Sequence, residues 1–105
     1  MPDISQLFQL GQQVQGRLTQ LQTELAEQTV TGSAGGGMVS VTADGRGRVQ
    51  SVTIDPSVAA AGDVEMLEDL VVAAVTDAQR KAEDIYKAEL KKLTGGMSLP
   101  FQFPL

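Results

Sequence analysis

The sequence predicts an α+β fold in which a long helix precedes a three-stranded antiparallel meander and a second long helix follows it. Apolar residues recur every three or four positions over residues 3–28 and 63–94, which is the period of an amphipathic helix. Between residues 29 and 54 the period changes to two, which is typical of strands. A chain of 105 residues has the size of one ordinary domain, so we expect a single domain.

The first predicted helix covers residues 3–28. Its apolar face follows alternating steps of three and four and consists of Ile4, Leu7, Gly11, Val14, Leu18, Leu21 and Leu25. Asp3 at the start, with Gln6 three residues later, has the spacing of a capping box. Eight glutamines occupy the remaining faces, and we interpret them as a neutral solvated surface.

Three strands are predicted at residues 29–31, 38–43 and 48–54. A glycine-rich run, Gly32 to Gly37, forms the first connection and is interpreted as a flexible turn. The second connection, Asp44-Gly45-Arg46-Gly47, contains the Asp-Gly pair of tight hairpins. The alternation breaks between Val49 and Val52, which predicts one extra residue near Gln50-Ser51 as a bulge.

The Asp55-Pro56 step is predicted to end the third strand, since proline cannot donate to a strand ladder. We expect a loop up to Gly62, then a helix over 63–94 with acidic residues in its first turns, then an apolar tail over 95–105. The tail contains Met97, Leu99, Phe101, Phe103 and Leu105. Along the second helix the apolar stripe stops at Ile85, so its last turns should leave the core.

The helices are too long for the sheet that they flank. At 1.5 Å per residue they measure about 37 Å and 46 Å, whereas a six-residue strand spans about 20 Å. The excess length predicts projecting arms, or burial against a second copy of the chain. A homodimer satisfies both expectations.

Positive charge is concentrated late in a chain whose net charge is −5. Residues 57–79 hold five acids and no base, whereas residues 80–105 hold five bases and three acids. The candidate phosphate-binding residues are Arg80, Lys81, Lys87, Lys91 and Lys92 on the second helix and Arg17 on the first. The alternative is an ordinary solvated helix, because Asp77 and Lys81, like Glu83 and Lys87, have the spacing of helical ion pairs. Neither Lys91 nor Lys92 has an acid four residues before it, which favours a positive tip.

Several classes of function are disfavoured by composition. The chain has no cysteine and no histidine, which removes disulfides, thiolate or histidine catalysis and the usual zinc and copper sites. The glycine run lacks the Gly-Lys-Ser/Thr ending of a phosphate loop, and the acids from Asp63 to Asp69 lack calcium-loop spacing. We expect no enzyme, cofactor or metal. No apolar run approaches the roughly 18 residues of a membrane span, and the Met1-Pro2-Asp3 start lacks a signal's basic region, so we expect a cytoplasmic protein.

A family resemblance is carried by several segments at fixed mutual distances. They are Val30-Thr31-Gly32, the hairpin with Val39 and Val41, Ile54-Asp55-Pro56-Ser57, the run from Glu65 to Val71, Ala73-Ala74, Asp77-Ala78, Gly96-Met97 and Leu99-Pro100. Together they resemble the YbaB/EbfC family of bacterial nucleoid-associated proteins. The first helix matches only in its amphipathic, glutamine-rich character.

The resemblance implies a tweezer-like homodimer with projecting helical arms that binds duplex DNA, alters its conformation and contributes to nucleoid organisation and gene regulation. It places the DNA-facing residues on the arms, at Arg17, Arg80, Lys81, Lys87, Lys91 and Lys92. Relatives often carry several lysines in the first helix, where this chain has Arg17 alone. The alternative function is a protein-interaction module of the same fold, whose arms or apolar tail bind a protein partner in place of DNA.

Overall fold

A computed structural model describes residues 3–93 of the chain, and the predicted tail at 95–105 lies outside the described residues. The elements in chain order are α1 (Ile4–Glu27), β1 (Thr29–Ala34), β2 (Val39–Asp44), β3 (Val49–Ile54), α2 (Pro56–Ala60) and α3 (Val64–Leu93). The predicted α+β class, with a long helix on each side of a three-stranded sheet, is confirmed.

The sheet is an antiparallel meander in the order β1-β2-β3. Its second connection is the predicted hairpin, in which the Gly47 N–H donates to the Asp44 carbonyl at 3.0 Å. Thr42 lies opposite Ser51 and Ala43 lies opposite Val49, so Gln50 is an extra residue on β3. The bulge predicted from the broken alternation is therefore confirmed.

The prediction that Gly32 begins a flexible turn is wrong. β1 continues through Gly32 to Ala34, and the turn begins at Gly35, whose φ is +62°. Gly32 is buried, and a Cβ at this position would overlap the backbone of Ala74 and Ala78 in α3. Glycine is needed here because the helix lies directly on the strand.

A loop was also predicted where the chain forms the short helix α2. Asp55 caps it, since its Oδ1 accepts hydrogen bonds from the Ser57 N–H at 2.8 Å and from the Ser57 hydroxyl at 2.7 Å. These bonds, the hydroxyl's first, lower the pKa of Asp55. Pro56 stands in the first turn, where its missing N–H leaves no hydrogen bond unmade.

The core lies between α3 and one face of β1 and β2. Val39, Val41 and Ala43 of β2 are fully buried against a row of alanines on α3, namely Ala74, Ala78 and Ala82. Such short side chains let the helix approach the sheet closely. β3 lies outside this contact. Its residues from Val49 to Thr53 are therefore left exposed by the described part of the chain.

α1 joins this core only at its C-terminal end, where Leu21 and Leu25 are buried. The Leu25 carbonyl accepts a hydrogen bond from the Gly45 N–H at 2.8 Å, which fixes the helix end on the β2-β3 hairpin. The rest of α1 and the end of α3 extend past the sheet, and residues 3–93 measure 69 × 25 × 17 Å. None of the helices in this part of the chain has the length and apolarity needed to cross a bilayer.

Candidate nucleic-acid interface

The structure places all six predicted DNA-facing residues on α1 and α3. The two helices run antiparallel where they leave the sheet. We call residues 4–20 and 80–93 the arms, although Lys81 and Ala82, at the inner end of the second arm, still contact the sheet. Arg17 of α1 and Lys92 of α3 line one cleft of about 230 Å³ between the arms, together with Glu24 and Glu89. The arms therefore bring one base from each helix to a shared groove.

Lys81, nearest the sheet, is engaged with the edge of β1. Its Nζ donates to the Thr31 carbonyl at 2.8 Å and lies 3.3 Å from Asp77 Oδ2. The same Asp77 oxygen accepts a hydrogen bond from the Ser33 N–H at 3.0 Å. The predicted Asp77–Lys81 ion pair is present, and it also ties α3 to a strand.

Further along α3, the lysines form exposed ion pairs. Lys87 Nζ lies 3.2 Å from Glu83, as the spacing predicted. Lys92 Nζ lies 3.4 Å from Glu89. No acid stands four residues before Lys92, as the sequence analysis states, and its partner stands three residues before it instead. Such exposed pairs contribute about 1 kcal/mol or less, so a phosphate group can replace the carboxylate at small cost.

Charge is divided between the two ends of the molecule. From residue 80 to 93, α3 has five bases and three acids, and Arg17 is the one charged residue of α1 between Ile4 and Thr23. The arms thus have a net charge of +3 in a chain whose net charge is −5. The first turns of α3, with Glu65, Glu68 and Asp69, lie at the opposite end of the sheet from the arms.

Comparison with known proteins agrees with this architecture. The chain is 46% identical over 97 residues to a nucleoid-associated protein of Gemmatimonas aurantiaca, covering 90% of this chain and 93% of that one. It is 42% identical over 106 residues to one of Gluconacetobacter diazotrophicus, covering 99% of each. Residues 1–97 match the YbaB/EbfC DNA-binding family. The chain belongs to this family.

A crystal structure of an uncharacterized Helicobacter pylori protein shares the fold of this YbaB/EbfC chain. Its TM-score is 0.82 at 28% identity, and the match covers 90% of this chain and all of that one. The likeness includes both the sheet and the long helices, because the coverage leaves out only a tenth of the residues.

A second basic position lies at the base of the arms, on the β2-β3 hairpin. The Arg46 and Arg48 N–H groups both donate to Oδ1 of the buried Asp44, at 2.9 and 3.0 Å. Arg46 also lines a cleft of about 450 Å³ with Tyr86 of α3. The contact between hairpin and helix joins distant parts of the chain, so the sequence pattern alone does not show this cleft. Among residues 3–93, no three carboxylates are grouped closely enough to hold a metal ion.

The contacts of Asp77 make the stability of the fold depend on pH, and they decide whether stability rises or falls with pH. The Ser33 N–H and then Lys81 lower the pKa of Asp77 below its usual value of 3.8. Its charge therefore stabilises the fold above about pH 4, and this contribution is lost as the pH falls through the lower pKa of the folded state. We expect Asp77→Asn to lower the free energy of unfolding at neutral pH, and the difference from the native chain to shrink toward pH 2.

Urea unfolding at a series of pH values measures this difference. Asp84→Asn is the matched control, because Asp84 is exposed on the same helix and the hydrogen bonds to β1 do not involve it. A deficit for Asp77→Asn that stays constant from pH 7 to about pH 2 would contradict the role of the carboxylate charge.

Proposed function

We propose that this chain binds duplex DNA as a homodimer, mainly through the phosphate backbone, and thereby alters DNA conformation, organises the nucleoid and influences gene expression in the bacterial cytoplasm. Membership of a DNA-binding family and the names of its relatives support the nucleoid role. The single structural observation that carries the proposal is the segregation of basic residues onto arms that project past the sheet.

The side chains on the arms favour contact with phosphates over reading of bases. Lysine and arginine on long, flexible stems supply the contacts that fix a protein on the DNA backbone without reading its sequence. The arms hold two aromatic residues, Phe8 and Tyr86, one on each helix, which is too few for stacking a series of bases. We therefore expect recognition through backbone and shape, with weak sequence preference.

The two edges of the sheet support a homodimer built on β3. On the β1 edge, the Thr31 carbonyl and the Ser33 N–H are occupied by the side chains of Lys81 and Asp77. Within residues 3–93, no side chain bonds to the backbone of β3 from Val49 to Thr53. An open strand edge readily pairs with another chain, so the bare edge is the one suited to a second copy.

An apolar strip beside this edge supports the same assignment. Val49 and Val52 are each 43% exposed, and Ile54 is half-buried. By register they lie on the same face of the sheet as Ala43, Val41 and Val39, which α3 covers. A second copy at β3 would bury this strip and complete the sheet face that one α3 leaves open. The dimer would carry two pairs of arms.

The test of DNA binding is the salt dependence of duplex affinity, measured by fluorescence anisotropy at about 20, 50 and 150 mM salt on two duplexes of unrelated sequence. If roughly six lysines and arginines of the dimer touch phosphates, log affinity should fall by about four to six units per log unit of salt. Light scattering on the same samples gives the mass. The two duplexes should bind alike.

No binding at the lowest salt would overturn the proposal. It would favour the alternative in which the arms of this fold bind a protein partner. A large preference for one duplex would contradict backbone readout.

A further inference from the structure

The β2-β3 hairpin is held in place by both long helices. Its Gly45 N–H donates to the Leu25 carbonyl at the end of α1, at 2.8 Å. Its Gly47 carbonyl accepts a hydrogen bond from the Gln79 side chain of α3 at 3.1 Å. Arg46, the residue between the two glycines, therefore has a fixed position at the base of the arms.

Arg46 is one of three polar side chains that line the cleft of about 450 Å³ between hairpin and arms, which we call the hairpin cleft. The other two are Gln22 of α1 and Tyr86 of α3, so each comes from a different element. Within residues 3–93, none of the three side chains forms a hydrogen bond or an ion pair. A guanidinium, an amide and a phenol all donate hydrogen bonds, so the cleft has three unused donors.

The hairpin cleft also contains an acid, Glu83, whose charge is offset by a lysine. The Glu83 carboxylate lies 3.2 Å from Lys87 Nζ, one turn further along the arm. In the part of the chain that the structure describes, no ion pair joins Glu83 to Arg46. The charge left to attract a ligand is the positive one of Arg46, which suits an anion that accepts several hydrogen bonds.

A phosphate of the DNA backbone is the anion that fits this place. Arginine together with neutral amide and hydroxyl donors supplies such contacts in protein–DNA complexes. The cleft opens beside Lys87, a basic residue of the arm, so a backbone that follows the arm toward the sheet reaches Arg46 next. Gly45 and Gly47 carry no side chain, which leaves room for the close approach of a ligand.

We propose that Arg46 binds a backbone phosphate of duplex DNA in the hairpin cleft, with the Gln22 amide and the Tyr86 hydroxyl as further donors. The inference rests on the proposed DNA-binding function and deepens it, since it adds the hairpin to an interface otherwise assigned to the arms. Each copy of the proposed dimer supplies one such contact.

Arg48 provides the matched control. Both arginines are exposed and both backbone N–H groups bond to Asp44 Oδ1, but of the two only Arg46 lines the hairpin cleft. Arg46→Gln and Arg48→Gln each remove one positive charge and keep those backbone bonds. In anisotropy titrations at several salt concentrations, Arg46→Gln should lower duplex affinity at least about fivefold and reduce the salt slope by about two units, one for each copy. Arg48→Gln should stay within about twofold of the native affinity and keep the native slope.

Equal losses in the two variants would overturn the inference, because binding would then follow net charge and not the cleft. Native affinity in Arg46→Gln would overturn it as well, provided that the native chain binds the duplex. A native chain that binds no duplex would overturn the proposed function, and this inference with it.

A second measurement observes the arginine side chains directly. The chain contains four arginines, so their Nε–H signals in an NMR spectrum of isotope-labelled protein can be assigned with single Arg→Gln variants. Duplex DNA should shift the Arg46 signal and leave the Arg48 signal in place, whereas inorganic phosphate at the same ionic strength should leave both in place. An Arg46 signal that the duplex does not move would overturn the inference. An equal shift with inorganic phosphate would assign the cleft to free phosphate and would overturn it too.

Discussion

Replacing Val52 with lysine is expected to convert the proposed homodimer into monomers without unfolding the chain. Val52 is 43% exposed in the single chain, so a lysine there keeps its ammonium in water. In a dimer built on β3 the same position is buried against the second copy, and each copy would bring one charge into an apolar contact. We expect dimerisation to weaken at least about 100-fold, which corresponds to about 3 kcal/mol.

DNA affinity should fall together with the dimer, although the variant adds positive charge. A monomer brings one pair of arms to the duplex and loses the gain from two linked sites, so we expect affinity at about 50 mM salt to fall at least tenfold. The salt slope should fall by about half, because half of the phosphate contacts are lost. The added lysine alone would raise the affinity for DNA. A decrease in DNA affinity therefore points to the loss of the second copy.

Ala73→Lys is the matched control for this experiment. Ala73 is exposed on α3, next to the buried Ala74, and the substitution adds the same charge away from β3. This variant should remain dimeric by light scattering and should bind DNA as well as the native chain. If Val52→Lys also remains dimeric, β3 is not the contact between copies.

The outline of the fold could be predicted because its signals are local. The period of the apolar residues marked α1 and α3, and one broken alternation located the bulge at Gln50. The signals for α2 were also present, as Asp55, Pro56 and Ser57 form a helix start, but the proline was interpreted only as the end of a strand. The error arose because only proline's inability to donate to a strand ladder was considered. Its preference for the first turn of a helix was left out.

The remaining differences come from contacts between distant residues. Gly32 belongs to a strand because α3 lies directly on it, and the helix residues that exclude a Cβ stand more than 40 positions later. Likewise, the Asp77–Lys81 spacing predicted an ion pair on a helix surface, but not its bonds to Ser33 and Thr31. A pattern along the chain shows which face is buried, whereas the partner of that face is set by packing.

The sequence predicted which residues form the candidate interface, but not how most of them are arranged in space. The bases of the arms could be read from their positions, and the Lys87–Glu83 pair from its spacing. The pairing of Lys92 with Glu89 was missed because only the four-residue spacing was considered, although residues three apart are also neighbours on a helix. The convergence of Arg17 and Lys92 on one cleft required the antiparallel placement of the arms.

Removing the positive charge of the α3 arm is expected to abolish tight DNA binding while the proposed dimer stays intact. The variant is Lys87→Gln, Lys91→Gln and Lys92→Gln, which removes six positive charges from a dimer. All three residues lie beyond the sheet, and the ion pairs of Lys87 and Lys92 are exposed, so the fold should lose little stability. We expect affinity at about 50 mM salt to fall at least 100-fold, and the salt slope to lose up to about five units.

Net charge by itself is a competing explanation, since the variant has a charge of −8 per chain in place of −5. The control is therefore a second variant of the same net charge, Ala59→Glu, Ala60→Glu and Ala73→Glu, whose exposed positions lie on α2 and on the part of α3 that precedes the arm. If lysines on the arm hold the phosphates, the control keeps the native salt slope and loses only a small part of its affinity. Equal losses in both variants would show that binding follows total charge, and would remove the assignment of the interface to the arms.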